Sequence, residues 1–299
     1  METLEEMRRK LTSAEDLLSV VKTMKALAAV SIRQYEKAVQ SLELYDHVVQ
    51  QALRMVAWKA PGAVSRQQTP SLEHSLAIVL GTDQGMVGPF NDIVAAHAVK
   101  DVQFLDPSGE RLTVWAMGMR VKSRLERMGH AVGELFDVPT SVTGIHSVVQ
   151  HMIVHMEAWR AQTRDGRVFL IYNLPTGGTT YQPRRVQLLP LNRAWLSSLA
   201  QRKWPSRSLP VITMDLAPLL SALVRQFLFV TLYRSVAESL SSENAGRLVA
   251  MQVAEKNIAD RLGELRMSYH QQRQSLITEE LMDIISGFEA LSGDGGQKP

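Results

Sequence analysis

From Leu4, taking every third and then every fourth residue gives Met7, Leu11, Ala14, Leu18, Val21, Lys25, Ala28, Ile32, Tyr35, Val39, Leu42, Asp46, Val49, Leu53 and Val56. Only Lys25 and Asp46 interrupt this apolar seam. A stripe kept this long at a 3.5-residue period predicts a coiled-coil helix rather than a helix of a globular domain. Neither Gly nor Pro occurs between Thr3 and Lys59, so nothing predicts a stop. About 55 residues rising 1.5 Å each make a rod of roughly 80 Å. Thr12 or Ser13, followed by Glu15 and Asp16, offers a second start near the beginning.

Pro61-Gly62 and the stretch to Glu73 read as a polar linker. Short apolar runs then alternate with helical ones. Strands are expected at Leu76–Leu80, Leu112–Met117, Ala131–Phe136 and Val168–Leu174, with Arg185–Leu189 pairing with the last. Helices are expected at Asn91–Val99, at Val121–Met128 (ended by Gly129) and at Ser147–Thr163 (closed by Asp165-Gly166). This alternation predicts a mostly parallel α/β sheet. The runs Leu76–Leu80 and Val168–Tyr172 are apolar without alternation, as expected of strands covered on both faces.

Helix returns from about Asp215 to Phe288, with apolar positions at Leu220, Leu223, Phe227, Val230, Tyr233, Ala237 and Leu240. They resume at Leu248, Met251, Ile258, Leu262, Leu265 and Tyr269, then at Ile277, Leu281, Ile284 and Phe288; the phase shifts, which predicts a less regular coil. The tail SGDGGQKP is expected to fray. Two long helices at opposite chain ends each need a partner for the seam, so they are expected to pair antiparallel. The expected fold is therefore α/β: a long antiparallel coiled coil of the N- and C-terminal helices plus a central Rossmann-like domain. The expected divisions are 1–59, 74–205, 213–288 and a flexible tail, 289–299.

The bulk properties narrow the chemistry. The chain has 299 residues, 45% hydrophobic and 21% charged, which suits one large domain or two modest ones. A net charge of +3 fits an acidic partner surface but is too small to argue for nucleic acid. The absence of cysteine excludes disulfides, thiolate catalysis and Cys-based zinc sites. METLEEMRRK has neither the apolar run of a signal peptide nor the composition of a transit peptide. The most apolar stretch, Leu216–Tyr233, is broken by Arg225 and Gln226, so a soluble intracellular protein without a transmembrane segment is expected.

No coherent active site emerges. GTDQGMVGPFN, residues 81–91, follows the first expected strand, but Gly81, Gly85 and Gly88 do not fit G-x-G-x-x-G, and Pro89-Phe90-Asn91 replaces the Lys-Ser/Thr of a P-loop. Asp83 would repel a phosphate. The expectation is a tight turn with glycines at positive φ, capped near Asn91. His151 and His155 have metal-ligand spacing, yet Met-Ile-Val between them lacks the general-base Glu of a zinc protease, and surface histidines are the plainer expectation. Asp215 and Glu238 have no partner carboxylate at a telling spacing. Two stretches stand out: VVKTMKALAA sets Lys22 and Lys25 beside small residues, and SLSSENAGR, residues 239–247, is polar on nearly every face in mid-helix. A solvated helix surface is the ordinary meaning of such a run; a different environment at that level, such as a partner protein, is the alternative.

These stretches resemble the gamma subunit of F-type ATP synthases. VVKTMKALAA is similar to that family's I-T-K-A-M-x-M-V-A-A at Lys22, Met24, Ala28 and Ala29. GTDQGMVGPFN is similar to its S-S-D-R-G-L-C-G-G-L-N at Asp83, Gly85, Gly88 and Asn91. LYRSVAESLSSENAGRLVAMQVAEKN and SYHQQRQSLITEELMDI resemble its C-terminal helix, the latter at Tyr269, Arg273, Gln274, Ile277, Thr278 and Glu279 or Glu280; LIYNLP and QLLPL resemble central strands. The resemblance is dense at both ends and thin in the middle.

The resemblance implies a central rotor shaft with no active site, cofactor or metal of its own, peripheral to the cytoplasmic face of the bacterial inner membrane. It also implies an α/β domain that binds no nucleotide. The partners it implies are the alpha and beta subunits, epsilon and the membrane c-ring, with no nucleic acid. Lys22, Met24, Lys25, Arg247, Arg273, Gln274, Thr278 and Glu279 would be the partner contacts. Lys25 stands where the family commonly has an acidic or other residue, Pro89-Phe90 replaces Gly-Leu, and no thiol switch is possible. The divergent middle points to the alternate bacterial branch, some of whose members move sodium rather than protons. The rival expectations are a coiled-coil scaffold with a nucleotide-sensing head and a metal enzyme built on His151 and His155.

Overall fold

The N-terminal seam forms helix α1, Leu4–Ser41. Thr3 starts it by a capping box: the Glu6 carboxylate accepts from the Thr3 amide at 2.9 Å, and the Thr3 hydroxyl accepts from the Glu6 amide at 3.2 Å. Thr12 does not open a second helix; its hydroxyl donates back to the Arg8 carbonyl at 3.1 Å. The uninterrupted rod is corrected at Leu42, where a turn separates α1 from α2, Glu43–Lys59. There the Ser41 hydroxyl donates to the Ala38 carbonyl at 2.8 Å and the Leu42 amide donates to Val39, a tighter pattern than the α-helix. The computed structural model describes residues 3–59, 74–105, 111–163, 166–202, 204, 208 and 210–293. The linker from Pro61 to Glu73, Asp165 and the tail beyond Gly293 lie outside them.

Five strands follow the expected alternation: β1 (Ser75–Leu80), β2 (Leu112–Met117), β3 (Glu134–Phe136), β4 (Arg167–Gly177) and β5 (Thr180–Leu189). Between them run α3 (Phe90–Leu105), α4 (Met119–Arg127) and α5 (Val142–Gln162). β3 is shorter than the run from Ala131. α5 begins five residues before Ser147, because the Ser141 hydroxyl caps it by accepting from the Gly144 amide. After β5 comes α6 (Arg193–Gln201), a helix missed in the sequence, capped by the Asn192 side chain on the Trp195 amide. The last helix, α7, spans Leu216–Gly293, so Glu289–Gly293 of the expected flexible tail, 289–299, are helical.

The sheet order is β3-β2-β1-β4-β5, parallel except for the β4–β5 hairpin. β1 is buried along its whole length, which explains its unbroken apolar run. On one face Leu76, Ile78 and Leu80 pack with Met152 and Met156 of α5 and with Leu232, Val236 and Leu240 of α7. On the other, Ala77 and Val79 pack with Val94 and Ala98 of α3 and with Val121 and Leu125 of α4. A third core joins Val49, Leu53 and Val56 of α2 to Leu196 and Leu199 of α6 and Leu220 of α7.

The chain divides into two compact units, Leu27–Val249 and the terminal stretches Met1–Ala26 with Ala250–Pro299. The larger holds the sheet and its cores. In it the N- and C-terminal helices run antiparallel, joined by the Asp46–Arg234 ion pair at 2.8 Å and by the Tyr45 hydroxyl donating to Gln226. The smaller is an antiparallel helix pair, bridged by Glu15–Arg266 at 2.6 Å and by Lys25–Glu255. By length and composition α7 also contains an 18-residue window, of mean hydropathy 1.6, apolar enough to cross a membrane. Arg225 and Gln226 therefore do not exclude a span on their own, although Leu228, Leu232, Val236 and Leu240 are committed to the core.

Leu232 ties α7 to the sheet and is fully buried. Leu232→Ala is expected to cost about 3 kcal/mol of unfolding free energy, read by urea denaturation with circular dichroism.

Candidate functional site

The loop after β1 and the polar stretch of α7 meet each other. In an open α/β sheet a ligand sits beyond the carboxyl ends of the strands, where the strand order reverses, here between β1 and β4. Residues 81–91 lie at that end of β1. The Asn91 carbonyl accepts from the Thr82 amide at 3.1 Å, its NH2 donates to the Thr82 hydroxyl at 2.9 Å, and that hydroxyl donates to the Gln84 carbonyl at 2.8 Å. The Asp83 carboxylate accepts from the Met119 amide at 2.7 Å, at the start of α4, and from the Val138 amide at 3.2 Å. The loop thus supplies its own anion to the N-terminus of α4, where the helix dipole and free amides stabilise negative charge.

The glycines serve two different purposes. Only Gly88 of the three has positive φ, at 62°, joined by Met86 at 60°. Gly81 is needed for space, because a Cβ there would lie 2.3 Å from that of Val121.

The polar stretch of α7 is not solvated. Ser239, Ser241, Ser242, Glu243, Asn244 and Ala245 are all buried. Gly246 lies against the loop: a Cβ there would meet the Val87 carbonyl oxygen at 2.9 Å and the Tyr181 ring at 3.4 Å. The Asn244 side chain donates to the Leu240 carbonyl, and Arg247 donates to Asn244 at 3.0 Å and to Glu243 at 2.5 Å. Burial raises the Glu243 carboxyl above its ordinary range, with Arg247 opposing. Burial, reinforced by Glu243, likewise raises the phenol of Tyr35 on α1. Glu243 and Asn244 can be buried here because they find partners on their own helix, whereas the Ser242 hydroxyl is buried with no hydrogen-bond partner.

One turn earlier, the Tyr172 hydroxyl of β4 donates to Glu238 at 2.7 Å. Burial raises the Glu238 carboxyl, opposed by that hydrogen bond and by Arg234 and Arg184; burial also raises the Tyr172 phenol. Glu238 thus has two partners that lie far off in the chain, Tyr172 and Arg184, beside Arg234 one turn away on its own helix. The cluster opens on a cleft of about 520 Å³ bordered by Gln50, Arg184, Trp195 and Phe227. His151 and His155 stand edge to face with ring centroids 4.4 Å apart, both against Phe136, and His155 Nδ1 lies 3.3 Å from Glu134. Among the described residues no group of three or more His, Cys, Asp or Glu side chains is placed to hold a metal.

The other expected contact residues fall in the terminal unit, apart from Arg247, whose guanidinium is engaged by Glu243 and Asn244. Lys22 is exposed, Met24 is half-buried and Lys25 pairs with Glu255. Arg273, Gln274, Thr278 and Glu279 are exposed on α7, with the Thr278 hydroxyl donating to the Gln274 carbonyl.

The family model described as ATP synthase matches residues 3–291. The chain belongs to the ATP synthase gamma-chain family. It is 24% identical over 291 residues to the ATP synthase gamma chain of Thiobacillus denitrificans, covering 96% of this chain and 98% of the relative. It is 27% identical over 296 residues to that of Cupriavidus metallidurans, with the same coverage. Among solved structures, a chain of the Euglena gracilis mitochondrial ATP synthase has the same fold, at a TM-score of 0.64 and 16% identity over 99% of this chain and 97% of that one. A chain of the central stalk and c-ring of the Tetrahymena thermophila enzyme matches at 0.56 and 18%, over 79% and 99%. In this gamma-family chain the loop beyond β1 packs against the chain's own last helix, at Val87 and Gly246.

Two expectations follow. Gly246→Ala should lose about 1–3 kcal/mol of stability, because a backbone oxygen must move, whereas Gly263→Ala, which meets nothing within 4 Å in mid-helix, should gain up to about 1 kcal/mol; urea midpoints compare them. Glu238, raised in the folded state, contributes stability that is present below the ordinary carboxylate range and lost as pH rises through its folded value. The stability of Glu238→Gln relative to the parent should therefore improve from pH 4 to pH 7, read by denaturation at each pH.

Proposed function

We propose that the chain works as the central rotor shaft of an F-type ATP synthase, coupling ion flow through a membrane sector to ATP synthesis or hydrolysis on neighbouring subunits. Membership of the gamma-chain family supports this. The observation that carries it is the terminal unit, a helix pair whose outward side chains are apolar at several levels and whose longer helix outruns its partner. Leu17 and Val20 are 53% and 54% exposed, at three- and four-residue spacing with Met24 along α1. Carrying the alignment on from Glu15–Arg266 sets Leu4 near Ile277, while α7 continues to Gly293. Beyond Gln272 every side chain through Gly287 is exposed, including Ile277, Leu281, Met282 and Ile284. Such an apolar surface needs a partner.

Torque transmission follows from symmetry. A single antiparallel pair has no threefold axis, so three equivalent catalytic sites around it each meet a different face. Each face stabilises a different conformation of its neighbour, and rotation passes these preferences from site to site. Lys22, Met24, Arg273, Gln274, Thr278 and Glu279 are the contacts to the alpha and beta subunits; the cations suit acidic loops. The α/β domain docks on the epsilon subunit and the c-ring, which places the chain peripherally on the cytoplasmic face of a bacterial inner membrane.

A tagged copy recovered from native membranes should bring alpha and beta subunits and ATPase activity with it; their absence would overturn the proposal. Arg273→Ala should lower ion-coupled ATP synthesis severalfold and leave the circular dichroism of the isolated chain unchanged. Loss of the fold in that variant would remove the contact role.

A further inference from the structure

In the terminal unit the covered positions of α1 are Leu4, Met7, Leu11, Ala14, Leu18, Val21, Met24 and Lys25. Met24 borders the seam, and the rest alternate by three and four. On α7 the covered positions include Met251, Glu255, Ile258, Leu262, Leu265, Tyr269 and Gln272, alternating by four and three. Counting Glu255 as a member fills the gap that made the C-terminal seam look irregular. Each seam then holds one charged residue, and the two pair with each other, Lys25 Nζ donating to the Glu255 carboxylate. The apolar part of the seam is lean. Only Val21, Met251 and Leu262 are buried below one-tenth exposure among the described residues of this unit.

A lean seam of interchangeable aliphatic side chains specifies alignment weakly, because a stutter of three or four residues sets one apolar layer against another at little cost. A charged residue in the seam does not tolerate this. A shift of three residues sets Lys25 against Ile258, and a shift of four sets it against Met251, in each case leaving two charges half-buried without partners. Breaking such a pair costs more than forming it gains, so it discriminates between alignments better than it stabilises any one.

We propose that Lys25 and Glu255 are positioning residues that fix the axial alignment of the two helices in the terminal coil. Lys25 is thereby a register element of the shaft and not one of its contacts to other subunits. The alignment decides which side chains of α1 and α7 share a level, and hence which combined face a neighbour meets.

The chain has no cysteine, so engineered pairs report alignment without background. Leu18→Cys with Leu262→Cys reports the observed alignment; Leu18→Cys with Leu265→Cys or Ile258→Cys reports the shifted ones. The full-length isolated chain is oxidised and the rate of disulfide formation measured. In the parent, the shifted pairs should close at least about tenfold more slowly than the observed pair, since their Cα atoms are too far apart to bridge without movement. With Lys25→Met and Glu255→Leu together, shifted closure should rise about fivefold or more while helicity is kept, as apolar pairs no longer penalise a stutter. The double reversal Lys25→Glu with Glu255→Lys should restore the parental pattern. Should the apolar pair fail to form the coil, Lys25→Glu alone must raise shifted closure and the double reversal must suppress it. Shifted closure that ignores both changes overturns the proposal. The readout needs no other subunit, so this outcome is independent of whether the chain assembles into a rotary enzyme.

Discussion

The structure depends on one constraint: each terminal helix carries an apolar seam that it cannot bury alone. The two are far apart in the chain and become each other's partners, antiparallel in both compact units. Hydrophobic burial supplies the attraction, but it is indifferent to alignment. Specificity comes from the few charges in the seam. Asp46 and Lys25 each break the N-terminal stripe, and each meets an opposite charge on α7, Arg234 and Glu255. What looks like damage to the pattern in one helix is completed by the other.

The α/β domain shows how a ligand-binding architecture serves as a scaffold. Its strand order reverses between β1 and β4, as in folds that bind a ligand at that point. Here Asp83 occupies the amides that an anion would seek, and the loop is closed by Thr82 and Asn91. The buried segment from Ser239 to Gly246 passes beside that loop, with Glu243 and Arg247 neutralising each other. Gly246 is small because a backbone oxygen lies against it. Fold and function separate here: the strand order is one at which other proteins bind ligands, and in this chain the loop beyond β1 is tied down by its own side chains.

In a rotor of the gamma-chain family the faces of the helix pair are what its neighbours meet. A pair of helices is lopsided by construction, and the outrunning end of α7 enlarges the asymmetry. Differential contact is the only means by which such an object can bias its neighbours. The features that matter are where exposed side chains stand around and along the helices, and how firmly the helices hold their alignment. Among the described residues the shifted titrations lie inside the larger unit, at Glu238, Glu243, Tyr35, Tyr172, Tyr181 and Tyr233, and burial is the first cause of each.

The sequence by itself determined the periodic elements. The heptad seam, the five strands and the closing helix are local patterns, and local patterns survive in one dimension. The resemblance of the two ends to a family supplied the candidate contacts. It was silent where the outcome rests on what lies opposite. The break at Leu42 turns on a hydroxyl competing for one carbonyl, and α6 is short and mixed in composition, packed by α2 rather than by its own pattern. Ser239–Gly246 reads as a wet surface because polarity in sequence does not say whether partners exist. Only the tertiary structure brings Tyr172 and Arg184 to Glu238, or Glu255 to Lys25, since those partners lie tens to hundreds of residues away and a charge takes its meaning from its neighbours in space.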